Sequence, residues 1–435
     1  MIRKIILFLV ILFLNNNCSF DTKSGIWTND EKIEKTSAKN NKVRVLFEKE
    51  EIKKSEFNQN FLIKTPLKVS LKENINDNNS GLQFINENFK KKSKYRFSEI
   101  KYFNNFNPEL IFNKKHLIFF DKKGSVIKFD DTSKIIWKKN FYTKKEKKLL
   151  PILNFSSNDK IIIVTDNIGK YYALNINNGE LLWSKNHNAI LNSEIKIDGD
   201  KFYVADTEND LICFSLIDGS EIWKFQTDYS LIKSQKKLSI VFDDVKVYFN
   251  NSRGEIYSFN KNNGNLAWIT SIVEDVETSK SFLLKTSKLV LDEDNLFVSH
   301  NKDTFFSIDK NTGLINWTQN ISSELKPIIA ENMIFSISSD GYLFIMEKIS
   351  GNILRITDIL KDIKSGKFKK NSMSGFVAGS SKIYLSMNNG KILQIDIKNG
   401  KLSTILNISR SKISRPFVND GKMFIVKENS IIKLN

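Results

Sequence analysis

Cysteine, histidine, proline and glycine are all scarce in this chain of 435 residues, with two, three, five and 18 copies. Two cysteines, Cys18 and Cys213, exclude a Cys-rich zinc site and a disulfide-stapled scaffold. The three histidines, His116, His187 and His300, stand far apart and in no metal-ligand spacing. Most hydrolytic and metal chemistries therefore have little to work with, and no catalytic, metal or cofactor residue is expected. Few prolines and glycines also exclude a collagen-like chain. The apolar run at residues 5–14 is about half the roughly 20 residues that a helix needs to span a bilayer.

What is present is an ordinary globular balance, with 40% hydrophobic and 27% charged residues, enough for a large core. Lys and Arg outnumber Asp and Glu by 67 to 49, for a net charge of +18. Such a field favours anionic partners. The lysines are scattered rather than gathered on one stripe, so the charge reads as compositional and no nucleic-acid partner is expected.

Residues 1–18 carry two basic residues, the apolar run and a short polar exit ending in Cys18. That pattern is a secretory signal, and Cys18 stands where a lipoprotein signal places its acylated cysteine. Asn17 replaces the small residue usual before it, and Ser19 follows. The expected location is the periplasmic face of an outer membrane, held by a lipid anchor, with a soluble periplasmic form as the alternative. Cys213 lies in an apolar stretch and reads as a small buried hydrophobe. Residues 19–60 are rich in Lys, Glu, Asn, Ser and Thr and read as a flexible tether.

The remainder is organised by a repeat. Gly169-Lys-Tyr-Tyr-Ala-Leu-Asn175-Ile-Asn-Asn-Gly179-Glu-Leu-Leu-Trp183 aligns without gaps on Gly254-Glu-Ile-Tyr-Ser-Phe-Asn260-Lys-Asn-Asn-Gly264-Asn-Leu-Ala-Trp268. The first turn position is Gly124, Gly169, Asn209, Gly254, Asp303, Gly341 or Gly390, all residue types that tolerate positive φ. The second is Gly179, Gly219, Gly264, Gly313, Gly351 or Gly400, so eleven of the 18 glycines fall at two turn positions. Other strands precede each first turn, among them 160–165, 201–205, 246–249, 295–299, 333–336 and 382–386. Four short antiparallel strands in roughly 40 to 49 residues are the unit of a β-propeller blade.

An eighth unit runs through 422–426 and 431–434, with Asn429 at its first turn, and lacks an outer strand. An open sheet edge leaves N–H and C=O groups unpaired. The apolar segment 61–73 is expected to supply the missing strand, with 74–106 linking it to blades spanning 107–435. The fold class is all-β: an eight-bladed propeller of four-stranded antiparallel blades, closed by an N-terminal strand, over residues 61–435.

The repeat resembles the tryptophan-docking motif of quinoprotein-type propellers. Within that group the exported N-terminus, closing strand and eight blades resemble the BamB family, lipoproteins of the outer-membrane β-barrel assembly machinery. The resemblance implies that Trp137, Trp183, Trp223, Trp268 and Trp317 hold neighbouring blades together. Arg355 and Thr404 take the Trp position in blades six and seven, which predicts looser docking there. It also implies a non-catalytic scaffold without a cofactor, binding a BamA-type barrel-assembly protein through loops of two adjacent mid-chain blades, and in some settings unfolded outer-membrane protein precursors. The matching positions are Leu231, Ile232 and Lys233, with Lys233 in place of the family's Arg, then Leu283 and Lys285, where the family is acidic. Glu274, Asp275 and Glu277 lie just upstream. Two alternatives stand beside this reading: a quinone-dependent dehydrogenase and a periplasmic peptide- or glycan-binding propeller.

Overall fold

The computed structural model describes residues 55–69, 78–79, 81–87, 89, 92–101, 103–228, 236–273, 284–361, 363 and 372–435. The signal segment with Cys18, and the tether up to residue 54, lie outside the described residues.

Each repeat folds as four antiparallel strands. Blade one contains Ile111–Asn113, His116–Phe120, Val126–Phe129 and Ile135–Lys139. Blades two to seven follow at 153–186, 196–225, 240–271, 290–319, 328–358 and 373–407, and blade eight at 417–434, giving eight four-stranded sheets. The strand Lys201–Ala205 has the limits expected of it, and its counterparts differ by a residue or so at either end.

The two middle strands of a blade read as continuous apolar runs because both of their faces are covered. Phe202 and Val204 join the core between blades two and three, whereas Tyr203 and Ala205, one pleat on, join the core between blades three and four. The hydrophobic core therefore lies in the seams between sheets. A fully buried Val, Leu, Ile or Phe stabilises by about 1.5–3 kcal/mol, so each seam is a substantial bond between neighbours. Outer strands have one covered face, and Leu181–Asn186 alternates accordingly between exposed and half-buried positions.

All seven first-turn residues from Gly124 to Gly390 adopt positive φ, including Asn209 at 72° and Asp303 at 63°. Asn429 does not: Lys427 pairs with Ser430, and a tight two-residue turn joins the last strands. Most of the first turns are further tied by a side-chain acceptor. Asp166 Oδ1, for example, accepts from the backbone N–H groups of Ile168 and Lys170.

Blade eight is completed by an N-terminal strand, but not by 61–73. The strand is Lys92–Arg96, paired antiparallel with Ser430–Leu434 and lying within the stretch expected to be a link. An outer strand needs few inward side chains, and Tyr95 is enough: it is buried, edge-on to Phe129 of blade one at 5.5 Å and tilted against Phe424. Segment 61–69 instead runs over blades six and seven. Ile63 N–H donates to Lys398 O and Leu67 N–H to Ser380 O, while both side chains sink into the seam between those blades. Pro66, which has no N–H, suits this strap better than a ladder.

Tyr95→Ala is expected to cost about 3–5 kcal/mol of unfolding free energy by loss of a buried aromatic. Leu62→Ala, at an exposed strap position, is expected to change stability by less than about 0.5 kcal/mol. Denaturant unfolding of the full chain measures both.

Candidate functional site

The second-turn glycines and the outer-strand tryptophans form a single device. Every such glycine has a left-handed φ, and each lies against the docking side chain of the preceding blade. A Cβ on Gly179, Gly219, Gly264, Gly313 or Gly351 would come within 2.5–2.7 Å of the ring of Trp137, Trp183, Trp223, Trp268 or Trp317 respectively. The indole N–H then donates to a carbonyl in the same turn: Trp183 to Leu216, Trp223 to Lys261, Trp268 to Lys310 and Trp317 to Lys348, at 3.0–3.3 Å. A register shift just before the second turn recurs in seven blades, as between Ala173 and Leu174. It leaves one outer-strand residue unpaired beside each docking position. At Trp137 the carbonyl is already taken: buried Lys128 donates to Ile176 O, and Trp137 Nε1 finds no acceptor. The junction of blades eight and one uses the same substitute, with Lys433 and the Tyr95 hydroxyl both donating to Asp131 O.

Blade six is not loosely docked. Arg355 is buried and reaches Thr357 Oγ1, Phe61 O and Gln59 Oε1 at 2.7–2.8 Å. Gly400 of blade seven lies against Arg355 and Thr357, as the other glycines lie against Trp. Phe57 exchanges backbone hydrogen bonds with Ile356, a one-residue bridge at the outer edge of blade six. Thr404 is exposed, and the seam between blades seven and eight is filled by Ile85 and Phe89, the latter edge-on to Tyr384 at 5.5 Å.

The propeller axis carries a second constellation. Glu109, Glu194, Lys288, Lys326 and Arg415 each stand two residues before the first residue of an innermost strand, in blades one, three, five, six and eight. Lys288 bridges Glu109 at 2.9 Å and Glu194 at 2.8 Å, and Arg415 meets Glu109 at 2.7 Å. Blades one and five face each other across an eight-membered ring, so the Lys288–Glu109 pair spans the axis. Asn78 and Asn79 enter the same space: Leu291 N–H donates to Asn78 O, and Asn79 Nδ2 donates to Glu194 and to Leu289 O. Burial raises the Glu109 carboxyl, but Arg415 and Lys288 outweigh it and hold the group well below the usual carboxylate range.

A family model described as outer membrane protein assembly factor BamB matches residues 122–357. The chain belongs to this family. Among solved structures it is similar to BamB from Moraxella catarrhalis (TM-score 0.64, 14% identity, covering 79% of this chain and 100% of that one). It is also similar to quinohemoprotein alcohol dehydrogenase from Comamonas testosteroni (TM-score 0.60, 9% identity, 81% and 78%). A third is Sqt1 from Saccharomyces cerevisiae (TM-score 0.58, 11% identity, 79% and 98%). At these identities the likeness is one of fold. A comparison with curated proteins finds no match.

The loops singled out by resemblance to BamB proteins lead from the outer strands of blades three and four to the next inner strands. Leu231, Ile232, Lys233 and Leu283, with Glu274, Asp275 and Glu277, lie outside the described residues. Lys285 is about half exposed, with its ammonium 3.7 Å from Glu324; Lys236, at the end of the preceding loop, meets Glu324 at 2.9 Å. The ends of the two loops are thus held to a shared carboxylate at the mouth of the axis. Cys213 is buried opposite Trp223, and burial pushes its thiol up to about 12. Among the described residues no group of three or more His, Cys, Asp or Glu gathers in a metal-holding arrangement. The axial charges escaped sequence reasoning, although their spacing from the innermost strand is constant. That strand is the shortest in most blades and carries the weakest signal.

Gly264→Ala is expected to destabilise by about 2–4 kcal/mol, combining a strained φ with overpacking against Trp223. Arg355→Ala, which leaves Phe61 O and Gln59 without their partner, is expected to lose about 2–4 kcal/mol. It should also make the chain near residue 58 a site of early proteolysis. Thermal melts and limited proteolysis read these outcomes.

Proposed function

We propose that the protein is a non-catalytic scaffold of the outer-membrane β-barrel assembly machinery. It is exported, anchored through acylated Cys18 to the periplasmic face of the outer membrane, and binds a BamA-type barrel-assembly protein through the loops around 229–235 and 274–285. The family match over residues 122–357 carries this reading. The loops suit it because they spring from adjacent blades and their described ends, Lys236 and Lys285, meet a common carboxylate. The outer strands suit a role toward unfolded barrel precursors. They present exposed Leu181, Leu182, Ile222, Leu266, Ile269 and Ile315, and at blade six such an edge already accepts a one-residue antiparallel bridge, through Phe57.

The tagged full chain, purified from solubilised envelopes, is expected to bring down a BamA-type protein; its absence from the eluate would remove the proposal. Lys233→Glu and Lys285→Glu are expected to weaken recovery by about tenfold through charge reversal in the loops, whereas Lys134→Glu on blade one should not. Pyrroloquinoline quinone with calcium is expected to leave absorbance and melting temperature unchanged, and a shift would favour the dehydrogenase alternative. Mass spectrometry of the mature N-terminus is expected to find acyl chains on Cys18.

A further inference from the structure

The axial cluster holds more positive charge than its own carboxylates balance. Lys196, Lys237, Lys288, Lys326 and Arg415 act electrostatically on one another or on the same two acids, Glu109 and Glu194. Five cations therefore face two carboxylates. Glu109 is shared by Lys288 and Arg415, and Glu194 by Lys288 and the Asn79 amide. Neither Lys237 nor Lys326 makes a hydrogen bond or ion pair among the described residues; Arg415 donates through Nη2 to Glu109 and through Nη1 to Pro416 O and lies over the Phe417 ring at 4.1 Å, and its buried Nε alone has no acceptor. These groups are not open surface: the paired members keep between 10% (Glu194) and 31% (Arg415) of their side-chain area accessible. Like charges confined in this way repel strongly because little water separates them.

We propose that the axial mouth of the propeller binds a small phosphoryl-class oxyanion, held by Lys237, Lys326 and Arg415. The donor set decides the chemistry. The unmet groups are all N–H donors on cations, and an oxyanion with several accepting oxygens and more than one negative charge satisfies them together. Arg415, Lys237 and Lys326 stand in the segments that lead into blades eight, four and six, the Arg415 charge acts on both lysines, and Asn78 and Asn79 occupy the axis alongside them. The titration behaviour agrees. Burial, Arg415 and Lys288 bring Lys326 down to about 7. Burial brings Lys237 down to about 8, with Lys288 and Arg415 adding to the fall and Glu109 and Glu194 opposing it. The groups facing these lysines are Glu109 from blade one, Glu194 and Lys196 from blade three, Lys288 from blade five and Arg415 from blade eight. A bound anion favours the protonated ammonium forms, so binding takes up protons and weakens as pH rises through those values.

Calorimetric titration of the full chain with inorganic phosphate at fixed ionic strength tests the proposal, with glycerol 3-phosphate as a second arm. Saturable binding near one ion per chain is expected. Binding of both ligands would mean that a phosphoryl headgroup is accepted, and binding of phosphate alone that the free ion is. Sulfate, whose charge is constant over this range, is expected to bind about tenfold more weakly at about pH 9 than at about pH 6.5. The double variant Lys237→Gln, Lys326→Gln is expected to lose at least about tenfold in affinity, while Lys134→Gln on the surface changes nothing. In the absence of anion the double variant should melt at the same temperature as the parent or higher, since repulsion is relieved. Failure of the parent to bind phosphate or sulfate at millimolar concentration, or equal binding by the double variant, would overturn the proposal.

Discussion

The ring depends on one contact repeated around it: a flat or elongated side chain on the outer strand of a blade, pressed against a left-handed glycine of the next. The glycine is needed twice over. Its φ is one that other residues rarely adopt, and the space its Cβ would fill is occupied by the neighbour's ring. The tryptophan is needed twice over as well, because its face covers the turn while its N–H satisfies a carbonyl within it. Neither residue does its work inside its own blade. That is why the pair recurs at a fixed spacing in the sequence and why the cores lie in the seams.

Much of this was legible from the amino-acid order. Turn positions show because few residue types accept positive φ, and the middle strands show because burial on both faces removes polar residues from them. The closing strand was not legible. Lys92-Ser-Lys-Tyr-Arg96 shows no apolar alternation, since an outermost strand presents little to the core, and Tyr95 alone carries the contact. The segment expected to close the ring, 61–73, carries the stronger apolar signal. Ile63 and Leu67 are buried, but in a seam between two blades, where no ladder is required. Arg355 misled for a related reason. An arginine at a tryptophan position looks like a lost contact until its acceptors, Phe61 O and Gln59 Oε1, arrive from nearly 300 residues away.

Around the ring, the places where the tryptophan is missing are the places that the N-terminal segment visits. Phe57 and Gln59 lie on the edge of blade six beside Arg355, and Ile63, Leu67 and Leu82 fill the seam of blades six and seven. Ile85 and Phe89 fill the next seam, and Lys92–Arg96 completes blade eight. The early chain thus replaces a repeated local contact with a continuous strap. Blades two to five, which keep both tryptophan and glycine, receive little from it beyond Asn78 and Asn79 at the axis.

This division separates structural duty from binding duty. The strap bonds to turns beside Glu331, Ser380, Lys398 and Gly421, where first and second strands or third and fourth strands of a blade connect. The loops between blades, and the charged residues that precede the innermost strands, belong to the opposite rim. On that rim no docking glycine constrains the side chains, and the N-terminal segment meets it through Asn78 and Asn79, so much of its composition is free to answer to something other than the fold. A cluster in which five cations share two carboxylates is what such freedom permits. It is also what a ring held mainly through its apolar seams can tolerate, because at the axis blades are joined only by charged and polar contacts such as Arg415–Glu109 and Lys288–Glu194.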